Sequence, residues 1–524
     1  MKGIIIAISF LTLSARGFAQ TPADSIYLYG QSARLLDFAQ KSGTQLVSSN
    51  FERVNTLGLG YQYVKGHFRR AQEAETDKSQ FFSTSGITTL GRFKFAGNFN
   101  FSRTHQDSLK WTMQGLPNEG EPYFFGAGRA GKYDRIKYDF GGIVSYALKP
   151  EKLYLSVGAD YLYNTATGSV DPRPSVQTYR LALKPELTYK WFNNMLGLGV
   201  LYGYSKEDND VVIKNSGNRT QNDPLTTTLL FYGYGNVRDA RGSDPSSSTS
   251  SRAKMKRDIR YTGANINYNW QSTNAYLKTI LSYQLQIEDI TRQLDASVTN
   301  GRIGYFRLDT YQILLLGGKH NASFHHQFFF NAGLQTGYDN NYADRGFMGL
   351  ITARYSRKSA NLGYTVITKV NSTSNVEFGA NLDYDAIKKR GINQGIESCF
   401  QYLQPGINAA WHNKFKDASR LVFKVLPSLR LPVATTITEP GAVGDNIYLN
   451  YILYPDYTYF ASTAGLLGVQ VNYVTPRVVK DMYMGITFKC NYTKPFTLGN
   501  NYSTSAFSPS NSRTDLSMSV NLYF

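Results

Sequence analysis

Apolar side chains recur at every second residue along this chain, in runs long enough to cross a membrane. In RIKYDFGGIVSYAL, Ile136, Tyr138, Phe140, Val144, Tyr146 and Leu148 share one face; after the KPEK turn, Leu153, Leu155, Val157, Ala159, Tyr161 and Tyr163 repeat the pattern. Successive strand side chains point to opposite faces, so each run has one greasy and one wet side. The grammar returns in TYRLALKPELTYK and, after WFNN, at Leu196, Leu198, Val200, Tyr202 and Tyr204. AYLKTILSYQLQI, RLVFKVLPSLRLPV and MYMGITFKCNY carry it as well. Runs of about ten residues suit a tilted strand that spans a bilayer.

Composition agrees with that reading. Mean hydropathy is slightly negative at −0.35, yet aromatics make up 14% of the 524 residues, with 39 Tyr, 31 Phe and 46 Gly. An apolar outer wall, a polar lumen and two aromatic rims have this mixture. The connections alternate in length. Short links (KPEK, WFNN, QSTN near residue 271, GKHN near 318) alternate with long polar ones at 105–132, 206–257, 386–397, 434–457 and 494–511. The expected fold is therefore all-β: a transmembrane antiparallel β-barrel with short periplasmic turns and long extracellular loops. The tally is about 18 strands, within a range of 14–18, because 80–89 and 346–371 read either way. DRGFMGLITARYSRKS reads as a loop helix or an extra hairpin.

The ends point the same way. MKGIIIAISFLTLSARGFAQ has Lys2, an apolar run from Ile4 to Leu13, and small residues at Gly17 and Ala19, the pattern of a signal peptide over residues 1–19 cleaved after Ala19. Residues 20–51 follow as a periplasmic N-terminal segment or a small hatch, since SARLLDFAQ places Leu35, Leu36, Phe38 and Ala39 on a short amphipathic helix. The barrel then occupies 52–524. It closes on LSMSVNLYF, where Leu516, Met518, Val520, Leu522 and Phe524 share one face. A last strand of this kind pairs with the first and removes the free edge. It also resembles the C-terminal signal by which the barrel-assembly machinery of Gram-negative bacteria recognises its clients. Over residues 52–524 the chain resembles the uncharacterised outer-membrane β-barrel families, domains of unknown function, of the Bacteroidota type. That resemblance implies outer-membrane localisation and brings no substrate or catalytic residues with it.

Several motifs invite chemistry. GAGRAGKY (126–133) has the Gly126, Gly131 and Lys132 spacing of a phosphate loop, but Tyr133 stands where magnesium needs Ser or Thr, and no strand-to-helix context surrounds it. His325 and His326 are adjacent in a strand and point to opposite faces, so they do not share one metal ion. Glu207, Asp208 and Asp210 in KEDND read as a solvated loop. Cys399 and Cys490 read as free thiols. No cofactor, metal or catalytic residue is assigned, and the chain is not read as an enzyme.

Charge says more. Without Lys2 and Arg16 of the leader, 54 basic residues face 38 acidic ones, a net charge of +16. In SRAKMKRDIR, Arg252, Lys254, Lys256 and Arg257 are expected to face lipopolysaccharide at the outer surface rather than nucleic acid. Alternation turns Arg135, Lys137, Arg180, Lys184, Lys278, Lys424 and Arg430 into the lumen, with Asp139, Asp160, Glu186, Glu288, Glu377 and Asp383. A barrel near 18 strands is wide enough for an aqueous channel unless something fills it. The leading reading is a porin-like channel for small solutes, anions among them. The alternatives are an accessory barrel presenting its loops to a surface partner, and a rim-located outer-membrane enzyme, with His325, His326 and His412 as the residues to test. Outer-membrane lipid and lipopolysaccharide are the expected surroundings.

Overall fold

The structure, a computed structural model, describes residues 30–215, 226–240, 252–293, 301–321, 323–342, 349–440, 446–479, 482–499 and 507–524. The expected leader lies outside the described residues. Two helices come first, α1 (Gly30–Ala39) and α2 (Gly43–Val47). The strands are β1 (Arg53–Gly66), β2 (Thr76–Leu90), β3 (Phe93–Leu109), β4 (Tyr123–Gly126), β5 (Gly131–Lys149), β6 (Leu153–Gly168), β7 (Arg173–Trp191), β8 (Asn194–Val212), β9 (Leu229–Tyr232) and β10 (Val237–Asp239). They continue with β11 (Arg252–Gln271), β12 (Ala275–Gln293), β13 (Gly301–His320), β14 (Phe324–Asn341), β15 (Ala353–Lys369), β16 (Ser374–Gly391), β17 (Ile396–Lys414) and β18 (Arg420–Thr438). A π-helical turn (Leu449–Leu453) and α3 (Tyr454–Ala461) then lead into β19 (Thr463–Val479), β20 (Met482–Thr497) and β21 (Arg513–Tyr523).

Eighteen of these strands form one antiparallel sheet in which each pairs with the next along the chain. Pairing of β1 with β21 closes it, with Tyr61 opposite Met518 and Leu57 opposite Leu522. The Asn55 N–H donates to the Phe524 carbonyl at 2.8 Å, and the Phe524 N–H donates back to the Asn55 carbonyl at 3.1 Å. A closed sheet has no edge to satisfy, which a bilayer demands. The other three strands form a small separate sheet in the order β10, β9, β4.

At one end of the barrel the connections include tight turns at 91–92, 150–152, 192–193, 272–274, 370–373 and 415–419. At the other end they include 110–130, 213–251 and 439–462. We call these the turn end and the loop end. One expected link shortens: residues 386–397 are mostly strand, since β16 and β17 leave only 392–395 between them. The segment 80–89, which reads either way in the sequence, lies inside β2. Likewise β8 and β11 run as a ladder up to Val212 opposite Arg252, so the acidic and basic clusters expected in a loop sit on strands. Both faces of these strand ends are polar because they rise beyond the apolar belt.

The outer wall is apolar. Phe140, Leu183, Leu198, Val200, Ile407 and Met518 stand exposed on it. Aromatic pairs ring both borders: Phe101 with Tyr138 (5.2 Å between centroids) and Tyr179 with Tyr204 (6.0 Å) toward the loop end, Phe93 with Tyr146 (4.7 Å) and Tyr189 with Trp191 (6.0 Å) at the turn end. This is the girdled profile of a membrane barrel. Among the described residues no helix is long and apolar enough to cross a membrane.

Candidate functional site

Polar side chains converge in the lumen of such a barrel, and the described residues fill it at both ends. At the turn end sit α1 and α2. Ser42 caps α2 by accepting from the Gln45 N–H at 3.2 Å, and Leu36, Phe38 and Leu46 are buried. Leu36 and Leu46 pack on Val54, Ile87, Ala96 and Ile143 of the wall, and Phe38 packs on Ile280, Leu314 and Leu316.

Polar contacts hold the same two helices around the barrel. The Glu186 carboxylate accepts from the Thr44 N–H at 2.6 Å and from its hydroxyl. Gln45 Nε2 donates to the carbonyls of Tyr268 (3.3 Å) and Thr279 (3.2 Å), and Gln31 Nε2 to those of His325 (2.8 Å) and Thr365 (3.1 Å). Lys278 Nζ donates to Ser48 Oγ at 2.8 Å. Lys94 Nζ donates to the Ser49 carbonyl at 2.5 Å. The fit is close enough to require glycine on both sides, because a Cβ on Gly43 would overlap Ser156 and one on Gly197 would overlap Thr44.

At the loop end the long connections turn inward. Trp111, Tyr123, Phe125, Leu230, Phe231, Ile452 and Phe460 join Met255, Ile290, Phe306 and Phe400 of the wall in one buried apolar cluster. Phe124 stacks on Phe231 at 4.6 Å and Trp111 on Tyr451 at 4.7 Å. Wall side chains draw the 110–130 loop down: Asn209 Nδ2 donates to the Met113 carbonyl (2.8 Å), Arg135 Nη1 to that of Gln114 (2.9 Å), and Asn164 Nδ2 to that of Gly115 (3.0 Å). Beneath this loop lies a buried ionic cluster. Arg257 meets Glu288 at 2.7 Å, Glu207 at 3.2 Å, and Glu121 of the loop itself.

The rest of the cap is charged too. Arg70 pairs with Glu119 (3.0 Å) and Glu73 (2.8 Å); against the opposing effect of burial, Lys389 and then Arg70 hold the Glu119 carboxylate below its ordinary range, and Arg70 does so for Glu73. Burial pushes the Asp456 carboxyl up to about 6, although the Arg70 guanidinium pulls it the other way.

Between the two closures the lumen is polar and open. Asn100, Gln312, Lys489 and Asn491 lie on lumen-facing positions and are exposed. Solvent thus reaches polar side chains in the lumen between the helices at the turn end and the inward loops at the loop end.

A model for a family of unknown function, DUF6850, matches residues 43–524. The chain belongs to that family. No curated protein matches it. Among solved structures it is similar to the siderophore receptor PiuA from Acinetobacter baumannii, at 7% identity and a TM-score of 0.38, over 90% of this chain and 82% of that one. It is similar to BauA, the ferric preacinetobactin receptor of the same organism, at 11% identity and a TM-score of 0.40, over 91% and 80%. The copper transporter OprC matches at 9% identity and a TM-score of 0.38, over 91% and 81%.

The charged residues expected to line the lumen are placed as follows. Arg135, Glu186, Lys278 and Lys424 face inward and contact the closures or, for Lys424, Glu377 at 3.1 Å. Arg430 Nη2 donates to the Tyr459 carbonyl at 2.7 Å under the cap. Lys137 pairs with Asp139 at 3.2 Å and Lys184 with Asp160. Glu288 joins Arg257, Asp383 accepts from Asn381 Nδ2 at 3.0 Å, and Arg180 is half-buried. Leu516, Met518, Val520, Leu522 and Phe524 share the side opposite buried Tyr523.

Arg257 corrects an expectation. Arg252, Lys254 and Lys256 point outward, but Arg257 is one residue out of phase with them and its side chain is 5% exposed. Glu207 corrects another, for the same reason: it turns inward while Asp208 and Asp210 stay outside. Extending the alternation through KEDND and SRAKMKRDIR finds both residues. Gly131 and Lys132 of the Gly-rich motif open strand β5. His326 Nδ1 lies 2.6 Å from the Tyr364 hydroxyl, and His412 Nε2 lies 3.6 Å from Glu377, far along the wall. Among the described residues no group of three or more His, Cys, Asp or Glu is placed to hold a metal ion.

Proposed function

We propose that this protein is a gated transporter of the outer membrane, with the turn end in the periplasm and the loop end outside. Residues 30–52 then act as a hatch and the inward-folded loops as a cap. The observation that carries this reading is the double closure of a polar chamber: helices seated against the wall below, an apolar core and an ionic cluster above. A permanently open pore has no use for either.

The solute class follows from what remains between the lids. Arg135, Lys278 and Arg430 are committed to the closures, and Lys137 and Lys184 pair with Asp139 and Asp160. The chamber itself presents amides and paired charges, with the Lys489 ammonium among them, so we infer a small polar solute, anions included. Display of loops to a surface partner gains nothing from the 110–130 loop, whose aromatic residues point into the barrel. At the last strand, the row Leu516 to Phe524 is the proposed recognition signal for the assembly machinery, and Arg252, Lys254 and Lys256 face the outer leaflet.

Single-channel conductance tests the reading on three proteins: the full chain, a form lacking residues 20–51, and that form with Arg257→Met. The full chain should stay closed, the shortened one should show small steps, and the third larger ones. Silence from all three would overturn a transport function.

A further inference from the structure

On the outside of the wall built by β1, β2, β3, β5 and β6, a cleft of about 530 Å³ opens at the loop end. Its lining includes Tyr63, Lys65, Lys78, His105 and Lys132. The register explains why they meet. Tyr63 lies opposite Lys78, Lys78 opposite His105, and His105 opposite Asp134, so one row of outward side chains runs across four strands. Lys65 and Lys132 stand one step nearer the loops.

The charge of this cleft is unlike that of the basic stretch on β11. There, acids and bases alternate: Arg252 pairs with Asp210, Lys206 with Asp208 (3.6 Å), and Arg260 with Asp289 (3.5 Å). In the cleft the acids are Asp134 and Asp107. Asp134 is taken by Arg103 at 2.7 Å and approached by His105 at 3.4 Å. Lys65, Lys78 and Lys132 are exposed and enter no ion pair among the described residues.

Height narrows the ligand. Phe101, Tyr138 and Tyr163 sit side by side in the aromatic girdle, and Asp134 lies four residues beyond Tyr138 toward the loops. Four residues of a strand tilted by roughly 45° rise about 9 Å, the step from the edge of the hydrocarbon into the headgroup layer.

We propose that this cleft binds the phosphorylated headgroup of an outer-leaflet lipid. Lys65, Lys78 and Lys132 hold the phosphate, and the acyl chains lie on the aromatic row beneath. The site rests on the outer-membrane placement argued above, and its readout does not depend on conductance.

The test uses the full chain in detergent micelles. Binding of a phosphorylated glycolipid is compared with binding of the same lipid after enzymatic removal of its phosphates, and with inorganic phosphate alone. The variants are Lys65→Gln/Lys78→Gln/Lys132→Gln, the single Lys78→Gln in case the triple folds poorly, and Arg252→Gln/Lys254→Gln/Lys256→Gln as a control. The phosphorylated lipid should bind at least about tenfold more weakly to the triple cleft variant, measurably more weakly to Lys78→Gln, and unchanged to the β11 control. Equal binding of the dephosphorylated lipid, or of both triple variants, would overturn the proposal. So would saturation of the cleft by inorganic phosphate at the concentration at which the lipid binds.

Discussion

Replacing Arg257 with methionine removes the single guanidinium that three buried glutamates share. The side chains of Arg257, Glu207, Glu288 and Glu121 are 5%, 3%, 0% and 0% exposed, so water screens little of the loss. Deleting one partner of such a buried pair costs about 3–5 kcal/mol, and methionine keeps most of the volume, leaving charge as the main change. The cost falls on the cap rather than on the barrel, because the ladder from Arg252 opposite Val212 down to Trp270 opposite Asn194 does not involve the loop. Glu121 is the loop-borne member of the cluster, and leaving the lumen returns it to water. Opening of residues 110–127 should therefore rise by about a hundredfold to several thousandfold, at tenfold per 1.4 kcal/mol.

Hydrogen exchange resolved by residue reads this directly. The Trp111 N–H, bonded to the Ala127 carbonyl at 2.8 Å, and the Met113 N–H, bonded to that of Phe125 at 2.8 Å, should lose protection while β8 and β11 keep theirs. Glu121→Gln should act in the opposite sense, since it removes one of three negative charges around one positive charge and preserves shape. Unchanged exchange in Arg257→Met, or equal opening in both variants, would refute the latch.

Three further outcomes are expected. Gly197→Val pushes a side chain into Thr44, so exchange at residues 30–47 should rise while the barrel's thermal transition stays put; full protection would contradict the close seating of α2. Val200→Arg places a charge on the lipid face and should cost about 2–4 kcal/mol in denaturant unfolding from bilayers, whereas Gln312→Arg, on the lumen side, should stay within about 0.5 kcal/mol; equal costs would reverse the assignment of faces. Asp456 makes cap docking pH-dependent: its docked carboxyl titrates at about 6 and a free one near 3.9, so its contribution to docking is full below pH 4 and is lost as pH rises through 6, by at most about 3 kcal/mol. Glu73 and Glu119, whose carboxyls are lowered, act in the other sense: their contributions are full above the free value near 4.3 and fade as pH falls below it. Asp456→Asn should flatten protection of residues 446–461 between pH 4 and 7, and persistence of the slope would assign it elsewhere.

The barrel was legible because lipid imposes one rule on every strand. In β5 the row Ile136, Tyr138, Phe140 and Val144 has to face lipid, and counting such rows gives about 18, within 14–18, against the 18 strands of the closed sheet. The rule loses contrast where strands rise above the bilayer, since water bathes both faces there. That is why KEDND and 386–397 read as loops, and why Glu207 and Arg257 read as facing outward. The cap was illegible for another reason. Phe124 finds Phe231, and Ala71 donates its N–H to Asp456 at 2.9 Å, across separations that no local period records. The amphipathic stripe of α1 was visible, but the seat of α2 between Gly197 and Ser156 depends on the register of β6, β7 and β8.

The two lids differ in what it takes to move them. The hatch buries three large apolar side chains, Leu36, Phe38 and Leu46; at about 1.5–3 kcal/mol each, their exposure costs roughly 5–9 kcal/mol before its polar contacts are exchanged for water. The loops of the cap bury Trp111, Met113, Tyr123, Phe124, Phe125, Leu229, Leu230, Phe231, Tyr234, Tyr448, Leu449, Ile452, Leu453 and Phe460, for which the same rate gives roughly 20–40 kcal/mol. Opening the whole cap is therefore out of reach of an ordinary binding event, while releasing the hatch is not. Passage through the loop end then requires a part of the cap to move alone, and the 110–130 loop is the part that carries an ionic anchor, Glu121 on Arg257, besides its buried apolar side chains. If so, conductance steps should grow when Arg257→Met is added to the hatch-deleted form. Equal steps in the two would mean that the cap is no barrier and that the hatch alone gates the barrel.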